Sequence, residues 1–165
     1  GQIYENLVNG TIDACEWVGP WNDERSRFYE AAKYYYGPGY HEPGTTITLG
    51  CNKSWLTSLS KTDQLIIEHA ATVQNERMVT EYNAMNGAAL KRLVNDHGVE
   101  LREFNEDVVD ALGTASEELY SDLAQGDELT GRIVESFKKA RTDIGGWLNI
   151  ADTGYSTQRR RVLEG

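Results

Sequence analysis

The long apolar stripe between Ser60 and Asp96 limits the possible folds of this chain more than any other feature. Its members recur at helical spacing and are Ile66, Ala70, Val73, Tyr82, Met85, Ala89 and Leu93. Ser60 and Asp63 form a capping-box arrangement and Gly98 marks a stop, so the pattern predicts one helix over 62–97. About 35 helical residues span about 50 Å, whereas a compact domain of this size is about 30 Å across. The helix should therefore brace more than one lobe, or a partner chain.

The remaining segments predict short elements that cannot complete a fold by themselves. Strands are expected over 11–18, 45–51 and 99–104, where β-branched residues alternate or cluster between turn signals. Helices are expected over 2–9, 24–35, 105–124 and 129–155, and Gly145-Gly146 could kink the last one. Asp23 is the predicted cap of the helix over 24–35. With three strands and about five helices, at least one sheet edge would lie exposed. We therefore expect the chain to oligomerise or to be part of a larger fold.

Composition excludes several classes of function. The 165 residues contain no apolar run of 18 or more, so no transmembrane helix is predicted. A formal net charge of -10 argues against a nucleic-acid partner, because phosphate binding requires Lys and Arg. Cys15 and Cys51 form no C-x-x-C pair, which makes a zinc or thioredoxin-type site an unfavoured interpretation. Two buried free thiols are the favoured alternative, and a disulfide between them stays open.

Two short segments carry the signal for a small-molecule pocket. The first runs from Asp13 to Asp23 and contains Glu16-Trp17-Val18-Gly19-Pro20; the second runs from Tyr34 to Glu42. Aromatic walls with a few polar groups are typical of ligand pockets. Glu16 and Glu42 also permit a different hypothesis, a carbohydrate-active enzyme with paired carboxylates and aromatic rings that stack on sugars. No barrel-like pattern supports that enzyme.

The order of several short motifs resembles one known family. The motifs are Gly10-Thr11-Ile12-Asp13-Ala14, Glu16-Trp17-Val18-Gly19-Pro20, Asn22-Asp23, Ala32-Lys33-Tyr34-Tyr35-Tyr36, Pro38-Gly39 and Asn52-Lys53. Together they resemble the solute-binding proteins of TRAP (tripartite ATP-independent periplasmic) transporters, in the Glu-Trp branch that binds 2-oxo acids and related carboxylates. The resemblance covers nearly the whole chain but only about the C-terminal half of the family's length. The expected missing parts are the signal peptide and the first half, with its carboxylate-clamping arginine.

The resemblance implies both a fold and a function. The implied fold is α/β and helix-rich, part of a type II periplasmic-binding-protein-like structure whose two lobes are braced by one long helix. Residues 1–165 would contribute parts of both lobes. The implied protein is periplasmic, is not an enzyme, captures a small organic anion (a 2-oxo or 2-hydroxy carboxylate) and delivers it to membrane permease subunits. We also expect a homo-oligomer, formed through the exposed sheet edge and the helix that contains Phe137 and Trp147.

The resemblance also implies the site residues. Glu16 and Trp17 would contact the ligand and hold a cation, Na⁺ or Ca²⁺, through the Glu side chain and the Trp backbone carbonyl. Glu42 would be a second carboxylate of that site and Tyr40 part of its wall. Departures from the family pattern, which are Cys15, Trp21, Arg27, Gly37 and Tyr40-His41, leave the ligand's identity open. Without the upstream arginine, this chain alone is expected to bind its ligand weakly or not at all, because a bidentate arginine supplies both energy and orientation.

Overall fold

Helices make up most of the protein in the computed structural model, which describes residues 2–39, 44–45 and 47–163. The α-helices are α1 (Ile3–Val8), α2 (Pro20–Arg25), α3 (Lys53–Ser58), α4 (Lys61–Asn95), α5 (Glu106–Ala124), α6 (Glu128–Ile150) and α7 (Asp152–Leu163). Two strands, β1 (Tyr34–Tyr36) and β2 (Glu100–Arg102), and a 3₁₀ helix over Phe28–Glu30 complete the described elements. The chain divides into two compact units, 1–104 and 105–165. Among the helices of these described ranges, none combines the length and the apolar composition that a membrane span requires.

Helix α4 lies where the apolar stripe predicts it. Its cap is the predicted one: the Ser60 hydroxyl accepts the Asp63 backbone N–H at 3.1 Å and donates to the Asp63 carboxylate at 2.7 Å. The helix ends at Asn95, before Gly98, and its 35 residues span about 50 Å. Its bracing of two lobes stays a prediction.

The first unit has a small core where α2 packs against the C-terminal half of α4. Ala89 and Leu93 are buried there, together with Val99 in the loop before β2. At the edge of this core, Arg92 donates from Nε and Nη2 to the two carboxylate oxygens of Glu24, at 2.7 and 2.6 Å. These hydrogen bonds, together with the positive charge of the Arg92 guanidinium, hold the pKa of Glu24 below its usual range. A bidentate ion pair thus fixes α2 on α4.

Strands β1 and β2 pair in parallel, with Tyr34 opposite Glu100 and Tyr36 opposite Arg102. Helix α4 lies between them in the sequence and forms the crossover that a parallel pair requires. Two cations, Lys33 and Arg102, each lie 2.6 Å from the Glu100 carboxylate. Because side chains alternate along a strand, Tyr35 points inward while its two neighbours are exposed.

Two of the three predicted strands are wrong. Residues 11–18 form no strand, and the backbone N–H groups of Thr11 and Ile12 turn back to the carbonyl of Asn6. Residues 47–51 likewise form none. β-Propensity alone cannot make a strand, because a strand also needs a neighbour to pair with. In the described part of the chain, the only ladder joins β1 to β2.

The predicted helix over 24–35 is also wrong, and Asp23 is not its cap. Helix α2 begins earlier, with Pro20 in its first turn, because proline already has the helical φ angle and needs no N–H partner there. It ends early because Arg27 adopts the left-handed conformation, with φ 58°. That conformation costs a non-glycine residue about 1–2 kcal/mol. Glycine, which adopts positive φ angles without steric cost, is usual at this position in the family that the sequence resembles. Arg27 therefore departs from the family pattern at a position with a special backbone conformation.

The second unit consists of α5, α6 and α7. Tyr120 on α5 packs on Phe137 of α6 with ring centroids 5.0 Å apart, and Glu117 pairs with Arg141. The predicted helix over 129–155 is wrong in its extent, because the structure has a break at Ala151, whose ψ of -87° departs from helical geometry. Beyond the break, a Cβ at Gly154 would lie 3.0 Å from the carbonyl oxygen of Asn149. The absence of a side chain at this position permits the close approach of α7 to the end of α6.

Candidate functional site

Glu16 and Trp17 lie on the loop that connects α1 to α2, which we call the Glu-Trp loop (residues 13–19). Both side chains are exposed, and 44% of Trp17 is open to solvent. The Trp17 ring meets Phe28 edge-on, with ring centroids 6.0 Å apart. The indole is therefore supported on one side and accessible on the other, as a pocket wall must be.

A buried carboxylate lies beneath the Glu-Trp loop. Asp23 on α2 is 6% exposed; its Oδ1 accepts the Gly19 N–H at 3.3 Å and its Oδ2 accepts the Tyr35 hydroxyl at 2.6 Å. Burial raises the pKa of Asp23, and hydrogen bonds from Tyr35 and from the Gly19 and Val18 amides oppose that rise. Burial also raises the pKa of Tyr35, as does its bond to Asp23. Tyr35 therefore stays neutral and donates to the carboxylate.

Helix α4 contacts the same C-terminal end of the loop, where the chain enters α2. The Trp21 backbone N–H donates to Oδ1 of Asn86 at 3.0 Å, and the Trp21 ring meets Tyr82 edge-on at 5.1 Å. Gly19 has φ +153°, which L side chains rarely adopt, and its Cβ position is 3.5 Å from the same Asn86 oxygen. The Gly-Pro turn therefore lies directly on the long helix, so α4 positions the loop.

Two of the predicted site residues, Tyr40 and Glu42, lie outside the described residues. The distance between Glu16 and Glu42, which both the binding and the enzyme hypotheses require to be short, therefore stays a prediction. Their neighbours along the chain are placed: Tyr36 stacks on Phe104 at 4.9 Å, and the Arg102 guanidinium lies 4.9 Å from the Tyr34 ring centroid. The exposed rings of Tyr34 and Tyr36 form a second aromatic surface on β1.

The two cysteines are free thiols. Cys15 is exposed and directly precedes Glu16, whereas Cys51 is half-buried. Burial of part of its side chain, with the negative charges of Asp23 and Glu16, raises the pKa of Cys15. The thiol therefore stays protonated and adds no charge to the Glu-Trp loop. The prediction of two free thiols therefore agrees with the structure. The prediction that both are buried is wrong for Cys15, which is exposed.

The donor set can be tested against a hard cation. Ca²⁺ and similar ions prefer oxygen ligands, and Ca²⁺ takes about 6–8 of them. The Glu16 carboxylate and the Trp17 carbonyl are oxygens of the required kind. Within the described ranges, no group of three or more His, Cys, Asp or Glu side chains is placed to hold a metal. The chemistry of the two donors fits a hard cation, which would need further oxygen ligands.

A surface hollow of about 610 Å³ lies on α5 and is a poorer candidate. Its lining includes Glu117, Glu118 and Asp122. Such an acidic lining repels an anionic ligand, and the hollow contains no aromatic wall. The Glu-Trp loop therefore remains the candidate site.

Sequence patterns missed the residues that support the loop. The sequence predicts Asp23 only as the cap of a helix over 24–35 and Tyr35 only as the last residue of that helix. Asn86 lies within the helical stripe without standing out. A polar residue among stripe positions is the one signal that could have singled it out, because a packed helix face rarely carries an amide without a partner.

Residues 1–127 match the family described as bacterial extracellular solute-binding protein, family 7 (DctP). The chain belongs to this family. A monocarboxylate 2-oxoacid-binding periplasmic protein from a Nostoc species is 34% identical over 155 residues. That alignment covers 94% of this chain and 42% of the Nostoc protein. The chain thus spans less than half the length of this family 7 relative.

Solved structures of family relatives share the fold. A TRAP transporter solute-binding protein from Bordetella bronchiseptica superposes with a TM-score of 0.92 at 34% identity, over 99% of this chain and 48% of its own. It is a dimer with copurified calcium and picolinate in one site and the other site apo. A second solute-binding protein, from Colwellia psychrerythraea, has bound calcium and pyruvate and superposes with a TM-score of 0.89 at 34% identity. The match covers 95% of this chain and 48% of the Colwellia chain. The predicted family resemblance and helix-rich α/β periplasmic-binding-protein fold are confirmed.

Proposed function

We propose that this chain supplies one wall of a cation-assisted site for a small 2-oxo or 2-hydroxy carboxylate. Glu16 would bind the cation through its carboxylate and Trp17 through its backbone carbonyl, while the Trp17 ring would cover the ligand. Tyr40 and Glu42 would complete this chain's share of the site. The whole protein would be the periplasmic component of a TRAP transporter and would deliver its ligand to a membrane permease.

The observation that carries the proposal is an exposed carboxylate and indole on a loop fixed by partly buried hydrogen bonds. Glu16 by itself would repel an anionic ligand, and the formal net charge of -10 adds to that repulsion. A bound cation reverses the local charge and lets a carboxylate and an anion share one site. The calcium and carboxylate ligands of the two solved relatives fit this requirement. Na⁺ is the other hard cation that the resemblance implies.

Binding without catalysis is the better-supported role. Family 7 and the relatives described above are solute-binding proteins. The carbohydrate-active alternative needs two carboxyl groups a short distance apart across a sugar bond. Glu16 alone meets no such requirement, and Asp23 is buried under the loop with both of its carboxylate oxygens in hydrogen bonds. Turnover of a panel of aryl glycosides by this chain would favour the enzyme instead.

The four tryptophan indoles offer a direct test of the proposed binding site. They belong to Trp17, Trp21, Trp55 and Trp147, and each gives one indole N–H signal in a ¹⁵N-labelled sample. Pyruvate added in the presence of CaCl₂ should shift the Trp17 signal, because its ring would lie against the ligand. Chemical shifts report even a millimolar affinity, which suits a chain that is expected to bind weakly.

Two of the indoles serve as internal controls. Trp55 on α3 and Trp147 on α6 should keep their chemical shifts throughout the titration, and Trp17→Phe assigns the responding signal. Without CaCl₂ or NaCl, the pyruvate-induced shift of Trp17 should be much smaller. If pyruvate leaves the Trp17 chemical shift unchanged at every cation concentration, the proposed function is contradicted.

A further inference from the structure

We infer that Asp23 and Tyr35 are positioning residues for this site: the Asp23 carboxylate holds the end of the Glu-Trp loop, and the Tyr35 hydroxyl holds that carboxylate. Both would act on the ligand through the loop, without touching it. The inference rests on the proposed function of Glu16 and Trp17. It concerns how their two oxygen ligands are kept in place.

The burial of Asp23 shows that its hydrogen bonds are needed. A carboxylate that is 6% exposed is costly unless its oxygens are paired. One oxygen accepts from Gly19 on the loop and the other from Tyr35 on β1, at 3.3 and 2.6 Å. Asp23 therefore joins the loop to the β1–β2 pair through α2.

The Asp23 hydrogen bond lies close to the proposed cation ligands. Gly19 is two residues after Trp17, so fixing its N–H restricts the backbone that carries the Trp17 carbonyl. Asn86 on α4 fixes the same turn at the Trp21 N–H, 3.0 Å away. Groups that orient metal ligands typically change metal affinity about 10- to 100-fold when they are removed. Restraints at Gly19, the last residue of the loop, and at Trp21 just after it meet the need for preorganised ligands.

A second tyrosine–carboxylate pair in the same unit provides a matched control. The Tyr4 hydroxyl donates to Glu30 at 2.9 Å. That pair is exposed and joins α1 to the 3₁₀ helix, so neither partner lies under the Gly19 turn. Tyr4→Phe and Tyr35→Phe remove the same hydroxyl from the same kind of bond. The two bonds differ in burial and in whether they support the loop.

The first test compares the pyruvate affinity of both variants in CaCl₂, measured through the Trp17 indole signal. Tyr35→Phe should weaken binding about threefold to tenfold, as expected for one lost hydrogen bond, and Tyr4→Phe by less than about twofold. In Asp23→Asn, the amide nitrogen replaces one of the two accepting oxygens, so this variant should weaken binding at least as much. Because Tyr35 acts through Asp23, adding Tyr35→Phe to Asp23→Asn should cause little further loss.

The second test needs no ligand, so it separates this inference from the proposed function. Amide hydrogen exchange at Gly19 should be faster in Tyr35→Phe than in wild type, and the ligand-free Trp17 indole signal should move. Neither should change in Tyr4→Phe. If Tyr35→Phe does not fold, Asp23→Asn provides the same two measurements.

The outcomes are distinguishable. Failure of wild type to bind pyruvate with any cation would contradict the proposed function, while the exchange rate at Gly19 would still test the positioning role. Wild-type affinity in Tyr35→Phe, or unchanged Gly19 exchange and an unchanged Trp17 signal, would overturn the inference. An equal loss of affinity in Tyr4→Phe would also overturn it, because the effect would then be a general one.

Discussion

Glu16→Gln is expected to weaken calcium-dependent pyruvate binding roughly 10- to 100-fold. Glutamine keeps the size and an oxygen of the side chain but removes the negative charge that attracts the cation. The loss should therefore appear as weaker binding of both calcium and pyruvate, since each depends on the other. Titration of the Trp17 indole signal with pyruvate, at fixed CaCl₂, measures the change.

The control for Glu16→Gln is Glu68→Gln, which makes the same change of charge on an exposed face of α4. Because exposed charges are screened over about 10 Å at ordinary ionic strength, this variant should stay within about twofold of wild type. An equal loss in both variants would mean that overall charge, and not a ligand contact, sets the affinity. The proposed role of Glu16 would then be contradicted.

Leu93→Ala is expected to lower the free energy of unfolding by about 2–4 kcal/mol. Leu93 is 2% exposed and belongs to the small core between α2 and α4. Removing its side chain leaves a cavity that neighbouring helices can fill only in part. The first unit (residues 1–104) has few buried apolar residues among those described, so one truncation removes a large share of its core. Urea unfolding followed by circular dichroism measures the change.

Ile66→Ala on the same helix is the matched control for Leu93→Ala. Ile66 is 60% exposed, so its truncation removes little buried surface and should change stability by about 0.5 kcal/mol or less. Equal destabilisation by both variants would show that the exposed stripe of α4 is packed in solution. The core would then not be confined to the C-terminal half of the helix.

The elements that the sequence predicts correctly are those determined by residues close together along the chain. Helices α4 and α5 follow from a repeated apolar spacing and, for α4, from the Ser60 cap. The strands were harder, because Tyr34 to Tyr36 become a strand only through pairing with Glu100 to Arg102, more than 60 residues later. The same dependence explains why the β-rich segments without a partner form no strand.

The candidate site divides in the same way. Glu16 and Trp17 lie in a segment whose aromatic and acidic residues already indicate a pocket, and the motif resemblance then assigns each of them a role. Asp23, Tyr35 and Asn86 acquire their roles only when the loop, β1 and α4 meet in space. Arg27 departs from the family pattern, and its left-handed backbone gives a physical reason why glycine is usual at that position.

The most direct test of the central claim is the calcium dependence of pyruvate binding in wild type and in Glu16→Gln. Coupling between two ligands is a free energy that each imposes equally on the other. We predict that calcium strengthens pyruvate binding by wild type at least about tenfold, and binding by Glu16→Gln less than about twofold. If calcium strengthens binding by the same factor in both proteins, Glu16 does not hold the cation and the account is wrong.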